Sequence, residues 1–584
     1  MMKSIDPESQ PLQWRIGQML AVGFAAGQAG MAALESVVNT TKAGNIILFS
    51  RNTPDAATTL GSVRSAQHII KSATGMLPLV AIDQEGGIVM RIRKGVVPIP
   101  GAMAQAASCL GGSTSVADIE ALGSICGSDL RELGINWNLA PVVDVNVNPN
   151  NPVIGVRSYG ENPALVADYA SAFASGLKKA GVMATAKHFP GHGDTRVDSH
   201  LDLPIISHDL ETLKAVDLVP FQRLIAEGVA SVLVAHVQFP ALEKEPIPAT
   251  FSKNIVEGLL RGTLGFDGII CTDCMEMNAV ADRFSDPYVK AVLAGADIIV
   301  VSHTPARQIE AAESIYRAVM DGLIPEERIN NSVSRILRFK DEYCNEPSTP
   351  PESARLRNLE DEYNLVTTIS RGSLTLLSPL SEQGQGKQDD VHRVQELEPD
   401  HEGLTSTGFL VDVLPENLTG VEDEAALPSI ATELAQLDVP GWEAMKVSAN
   451  PTQEELATVS DHMQNFCAVG SPHHGRDDNS KELTLALSLF APFSHKSQLD
   501  LLGLFAAYAA KRDTRLIIFL MRSPYDCQGI LDLCKEHGCS TPQILAAYEY
   551  TSLSAHSVAE FLAGTCKATG VCPVTIQPHV EKRL

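Results

Sequence analysis

Between about residues 10 and 340, short β-branched apolar runs alternate with stretches of helical period. The runs are NIILF (45–49), LVAID (79–83), NLAPVVDV (138–145), MATAKHF (183–189), SVLVAHV (231–237), GIICTD (268–273) and ADIIVV (296–301). Between them lie segments such as ENPALVADYASAFASGLKKAG, which closes on a glycine as helices often do, and SHDLETLKAVDLVPFQRLIAEG. A strand that is apolar at every position is buried on both faces, and a parallel sheet covered by helices meets that condition. Seven or eight such units over this length point to a closed (β/α)8 TIM-like barrel. A doubly wound open sheet is the fallback.

The polar residues of this region collect where the runs end: Asp83, Asp144, Lys187 with His188, His236 and Asp273. The C-terminal strand ends of such a barrel converge on one face, and that face carries the chemistry. Any one of these residues is explained equally well as a helix cap or a turn. Five strands that each end in a titratable group are not explained by packing.

Three regions are expected: a barrel over 1–340, a proline-rich charged linker over 341–363, and a second, sandwich-like α/β domain over 364–584. Strand-like runs in the last are SLTLLS (373–378), GFLVDVL (408–414), LTLALSLF (483–490), RLIIFLM (515–521) and PQILAAYEY (542–550). Two polar segments, 382–403 and 470–482, read as exposed loops, the second with a surface pair, His473 and His474.

With 44% hydrophobic and 20% charged residues the composition is that of a globular protein. A net charge of −25 argues against a nucleic-acid partner, since phosphate binding needs a basic surface. No window reaches the roughly 18 uninterrupted apolar residues of a membrane span. The start, MMKSIDPESQPLQWRIGQMLAVGF, has no long apolar core with a small-residue cleavage site, and no early cysteine for a lipid. A cytoplasmic protein without a membrane partner is expected, and nothing in the residues sets an oligomeric state. The eleven cysteines are scattered, and Cys109, Cys126, Cys467 and Cys572 sit in apolar runs, so they read as reduced core residues. Cys271 and Cys274 have CxxC spacing without a second pair.

The densest chemistry is KHFPGHGDTRVDSH (187–200), with three histidines, two aspartates, a lysine and an arginine. Two glycines and a proline break any regular element through its middle. In Asp198-Ser199-His200, alternate positions of an extended segment share a side, so the aspartate can hold one ring nitrogen and leave the other for proton transfer. A histidine titrates at roughly pH 6.5 and serves as both acid and base. A metal reading draws on His188, His192, Asp194 and His200, but Pro190 and Gly191 deny His188 and His192 the helix on which such spacing usually works. Asp273 is a nucleophile or anionic stabiliser in one reading and a helix N-cap in the other. DQEGGIVMRI (83–92) offers carboxylates and close-approach glycines for sugar hydroxyls, and Arg157 in NPVIGVRSYG offers a donor.

Taken together, these residues resemble glycoside hydrolase family 3, in its NagZ-type β-N-acetylglucosaminidase branch. KHFPGHGDTRVDSH followed by LDLP is similar to that branch's signature loop. GNIILFSRN, AIDQEGGIV, APVVDVNVNPNNPVIGVRSYG, VAHVQFPAL and PATFSKNIVEGLLRGTLGFDGIICTD match in the same order. AYEYTSLSAHSVAEFLAG and GVCPVTI resemble the second domain of two-domain members. The resemblance implies a retaining exo-β-N-acetylhexosaminidase acting on small carbohydrate substrates with terminal GlcNAc, from peptidoglycan, chitin or glycoconjugates. Asp273 would be the nucleophile, and His200 paired with Asp198 the acid/base on a mobile loop. Asp83, Arg157, Lys187 and His188 would hold the sugar, and Arg51 would line the pocket. No metal or organic cofactor is implied. Such chemistry usually uses two carboxyls about 5–5.5 Å apart; a histidine in place of one avoids like-charge repulsion and tolerates phosphate as acceptor. The alternatives are therefore a phosphorylase on the same glycosides, a metal-dependent hydrolase using the histidine loop, and a non-catalytic sugar binder. One residue departs from the family pattern: Ile88 follows DQEGG where arginine is usual, and Arg91 or Arg93 is expected to compensate.

Overall fold

Eight parallel strands close into a barrel: β1 (Leu20–Val22), β2 (Asn45–Leu48), β3 (Leu79–Ile82), β4 (Trp137–Asn138), β5 (Met183–Phe189), β6 (Ser231–Val234), β7 (Ile269–Cys274) and β8 (Ile298–Val301). Each pairs in parallel with its neighbours in the chain, and β8 pairs with β1 to close the ring. This computed structural model describes residues 5–196, 203–344, 357–378, 407–415, 429–469, 483–512 and 514–576.

The expected runs become strands because their branched apolar side chains are buried whichever way they point. MATAKHF is a strand from end to end. NLAPVVDV is not: its strand stops at Asn138, because Pro141 has no N–H to give the ladder, and pairing resumes only as a bridge between Val142 and Lys187. The bonds Ala140–Pro141, Lys187–His188 and Phe189–Pro190 are cis. The eighth strand, Leu20–Val22, lies in the amphipathic stretch near the start and is too short to show any period.

Helices follow the strands with ordinary end signals. Asn162 caps α1 (Pro163–Lys179) by accepting from Ala164 N and Leu165 N, with proline at the first turn. The expected helix over 210–226 holds a π-helical stretch, Leu213–Asp217, whose last residue is buried. Two further helices, α2 (Pro305–Met320) and α3 (Glu326–Tyr343), complete the repeat.

The chain divides into two compact units. The first holds the barrel, with described residues 5–102, 115–196, 203–344 and 357–366. The second begins within the described residues at 367 and also takes in 103–114. There Val571 N donates to Ala107 O (3.1 Å) and Ser113 Oγ lies 2.9 Å from Thr569 Oγ1. Its sheet holds β9 (Thr375–Leu376), β10 (Thr407–Val413), β11 (Trp442–Val447), β12 (Leu483–Leu489), β13 (Arg515–Leu520) and β14 (Gln543–Ala546), in the order β9-β14-β13-β12-β10-β11. All neighbours are parallel except β9. This is the doubly wound α/β order with one antiparallel edge strand added. β11 gave no strand signal in the sequence because it is an edge strand that exposes Glu443, Ala444 and Lys446. The helix α3 ends at Tyr343 and the next begins at Leu359, inside the expected linker. Segments 382–403 and 470–482, with His473 and His474, lie outside the described residues.

All eleven cysteines are free; Cys126, Cys271 and Cys467 are buried, whereas Cys109, Cys274 and Cys572 are half-buried. Among the described residues no helix is long and apolar enough to cross a membrane.

Candidate active site

A cavity of about 490 Å³ opens at the C-terminal ends of the barrel strands. Asp83 follows β3, Lys187 and His188 end β5, Asp273 ends β7, Arg51 follows β2 and Arg157 lies in the β4–α1 connection; all six line it. These are the residues expected to hold or attack a sugar, apart from Asp198 and His200, which lie outside the described residues.

The floor is an ion-pair network. Lys187 Nζ sits 2.8 Å from Asp83 Oδ1 and 2.6 Å from Glu85 Oε1. Arg157 binds Glu85 through Nε and Nη2, and Arg91 Nη2 lies 3.3 Å from Asp83 Oδ2. Burial by itself raises a carboxyl pKa, but Lys187 and Arg91 hold Asp83 below the usual range, and Arg157 and Lys187 hold Glu85 far below it. Burial works against the charge on Lys187, and the two carboxylates overcome it and raise its pKa. The network therefore presents fixed charges that need no rearrangement when a polar ligand enters.

Asp144, at the fourth strand end, orders the histidines. Its Oδ2 accepts from His188 Nδ1 (2.7 Å), and its Oδ1 accepts from His192 N (2.7 Å) and His188 N (3.2 Å). In a neutral ring this leaves His188 Nε2 as the acceptor nitrogen. His192 is buried, with Nδ1 2.9 Å from Thr195 Oγ1; burial, then the His188 charge, push its pKa down to about 4.

Asp273 is not a helix cap. β7 runs on to Cys274, and the chain then turns without a helix until Pro287. Cys274 N donates to Asp273 Oδ1 (2.7 Å). His236, another strand-end residue, is not part of the cavity wall. It is buried, with Nδ1 2.7 Å from Thr250 Oγ1 and Nε2 donating to Cys274 O at 3.1 Å, so it fixes the backbone beside Asp273. Arg51 lines the cavity but gives Nε to Phe24 O (2.8 Å) and Nη2 to Ser302 O (2.6 Å), tying the ends of β1 and β8.

Of the arginines and carboxylates that line the cavity, Arg91 and Glu276 were not singled out by sequence reasoning for the site. Arg91 was named only as a stand-in for Ile88. Ile88 itself sits in the turn of a small hairpin, Gln84–Gly86 with Val89–Met90, away from the cavity wall. Arg93 donates to Ile88 O (2.9 Å) and so braces that hairpin, which leaves Arg91 as the arginine that reaches the cavity. Glu276 accepts from His303 N (2.6 Å) and Thr304 N (3.0 Å), a carboxylate set against the start of α2. Its signal, an acid three residues past a strand-end aspartate, is too common to stand out.

Of the residues in the metal reading, His200 lies outside the described residues, and Asp194 Oδ2 lies 3.1 Å from His208 Nε2. Among the described residues no group of three His, Cys, Asp or Glu side chains is placed to share a metal ion.

The chain is 36% identical over 330 residues to a protein named beta-hexosaminidase A from Pseudoalteromonas piscicida, a match covering 53% of this chain and 54% of that one, so it spans about half that relative's length. It is 38% identical over 282 residues to a beta-hexosaminidase of Methylococcus capsulatus, covering 47% of this chain and 79% of that one. The solved structure of a glycoside hydrolase family 3 beta-N-acetylglucosaminidase from Paenibacillus sp. superposes with a TM-score of 0.80 at 34% identity, covering 98% of this chain and 100% of that one. The model of the glycosyl hydrolase family 3 N-terminal domain matches residues 12–339, from ahead of β1 to past β8. Barrel, strand-end residues and relatives agree, and the chain belongs to glycosyl hydrolase family 3.

Proposed function

We propose that this protein is a retaining exo-β-N-acetylhexosaminidase that releases terminal GlcNAc from amino-sugar glycosides. The observation that carries the reading is the meeting of Asp273 with Asp83, Lys187, Arg157 and His188 around one cavity of about 490 Å³, a size in the range of small-ligand sites. Asp83 accepts from sugar hydroxyls, Lys187 and Arg157 supply donors in fixed positions, and His188 Nε2 supplies an acceptor.

An Asp273 oxygen attacks the anomeric carbon as His200, oriented by Asp198, gives a proton to the departing glycosidic oxygen. The C–O bond to the aglycone breaks and a covalent glycosyl–aspartate forms with inverted configuration. His200 then takes a proton from water, which attacks the same carbon as its bond to Asp273 breaks, freeing the carboxylate and restoring the β configuration. A histidine is cationic before it gives its proton and neutral afterwards, so it spares the site the repulsion of two carboxylates. The names of the relatives support the acetamido sugar as substrate.

The test is nitrophenol release from the β-N-acetylglucosaminide and from the plain β-glucoside in phosphate-free buffer. Turnover of the acetamido sugar alone is expected. Activity that requires phosphate and yields a sugar 1-phosphate would make the enzyme a phosphorylase, and silence under both conditions would overturn the reading.

A further inference from the structure

The chain on both sides of segment 197–202 is anchored. Ahead of it, Asn151 Nδ2 donates to His192 O (2.8 Å) and Gly193 O (3.0 Å), and Asn148 Nδ2 to Thr195 O (3.2 Å). Gly193 packs so tightly that a Cβ there would fall 1.7 Å from Val145 O. Behind it, Ile206 N donates to Gln238 O (3.0 Å), and Gln238 N to Pro204 O (2.9 Å).

The His208 side chain joins the two sides. His208 Nε2 lies 3.1 Å from Asp194 Oδ2, and its Nδ1 lies 2.8 Å from Asp217 Oδ2. Asp217 is 1% exposed, and its Oδ1 has no hydrogen-bond partner among the described residues. That oxygen faces Gly191, where a Cβ would sit 2.8 Å away and where φ is +142°. Asp217 is thus wedged beneath the KHFPGHGD turn. A ring set between two carboxylates can donate from both nitrogens, which favours its protonated form. The hydrogen bond to Asp217 is the main cause that raises the His208 pKa, against partial burial, with smaller contributions from the charges of Asp217, Asp194 and Asp209. Asp194, His208 and Asp217 do not line the sugar cavity.

We propose that His208, seated on Asp217 and gripping Asp194, is a positioning residue that ties together the two ends of the segment carrying Asp198 and His200. This inference rests on the acid/base reading given above. A link between two points of a chain restricts the positions open to the residues between them. Proton transfer needs heavy atoms within about 3 Å, and an error near 1 Å costs about a hundredfold. The tether therefore governs protonation of the leaving group and leaves sugar binding untouched.

The experiment compares kcat and KM for a GlcNAc glycoside with a dinitrophenyl leaving group, which departs without a proton, and for one with a poor alkyl or sugar leaving group. His208→Ala is expected to lower kcat on the poor leaving group by about 10–100-fold and on the activated one by less than about threefold, with KM unchanged. Asp194→Asn, at a more exposed position, is expected to show the same pattern more weakly and serves if His208→Ala fails to fold. Equal losses on both substrates, or none, would overturn the tether. His200→Ala is measured beside them. If it separates the two leaving groups while the His208 and Asp194 variants do not, only the tether falls; if it separates nothing, the acid/base reading falls with it.

Discussion

The Arg157 guanidinium holds the Glu85 carboxylate through two parallel bonds, Nε to Oε2 at 2.8 Å and Nη2 to Oε1 at 2.7 Å. Both side chains are nearly inaccessible, at 4% and 7%. The fork geometry explains why an arginine stands here, since a lysine would offer one point of contact instead of two. Glu85 also takes Lys187, so one buried anion serves two buried cations. Removing it leaves both under-compensated. Glu85→Ala is expected to destabilise the protein by about 3–5 kcal/mol in urea unfolding and to abolish measurable turnover.

Asp273→Ala is expected to lose essentially all turnover while still binding free GlcNAc, measured by calorimetry. Cys274 N donates to its Oδ1, and the Lys187 bonds to Asp83 and Glu85 in the ion-pair floor do not involve it. Added azide is expected to restore turnover with an activated substrate and to give the α-glycosyl azide. Activity within a few-fold of the unsubstituted enzyme would remove Asp273 from the nucleophile role.

Arg91 and Ile88 make a paired prediction. Arg91 meets Asp83 at 3.3 Å and lies over the Phe49 ring at 5.5 Å. Arg91→Met is expected to raise KM about tenfold, because a charge-assisted partner of the sugar-facing carboxylate is gone. Ile88→Arg is expected to change KM little, because the position lies in the hairpin turn. Steady-state kinetics on both variants decides whether Arg91 fills the place that the family pattern gives to the missing arginine.

Lys340 is buried in the barrel unit, its Nζ donating to Gln18 Oε1 (2.7 Å) and Gly44 O (2.8 Å). Burial pushes its pKa down to about 8 from a usual 10.5. Between these values the unfolded chain carries the extra proton, so stability rises with pH across that window. Below pH 8 both states are protonated and the whole penalty, about 3 kcal/mol, is present. Lys340→Met is expected to flatten the slope of unfolding free energy between pH 8 and 10 relative to the unsubstituted protein. The same slope in both would show that Lys340 titrates as an exposed lysine.

Much of the fold was legible because its signals are local. A β-branched run such as MATAKHF is a strand wherever it is buried, and its polar end marks the reactive face of a parallel barrel. Leu20–Val22 escaped because three residues carry no period, and NLAPVVDV misled because Pro141 interrupts an otherwise persuasive run. His236 misled in a different way: it stands at a strand end like the others, but its ring turns to Thr250 and to the Cys274 carbonyl.

By itself, then, the sequence determined the repeating strand–helix architecture, the strand ends at which Asp83, Lys187, His188 and Asp273 converge, and the family to which they point. Only the tertiary structure decided which charge meets which. Glu85 finds Arg157 across 72 positions of chain and Asp83 finds Lys187 across 104, because barrel closure brings remote strand ends within a few ångströms. His208 reaches back to Asp194 within the connection between β5 and β6, from beyond the loop that the sequence had already marked. Periodicity is written along the chain, whereas the partner of a buried charge is set by which ends the closed sheet places together, where an unpaired charge would be costly.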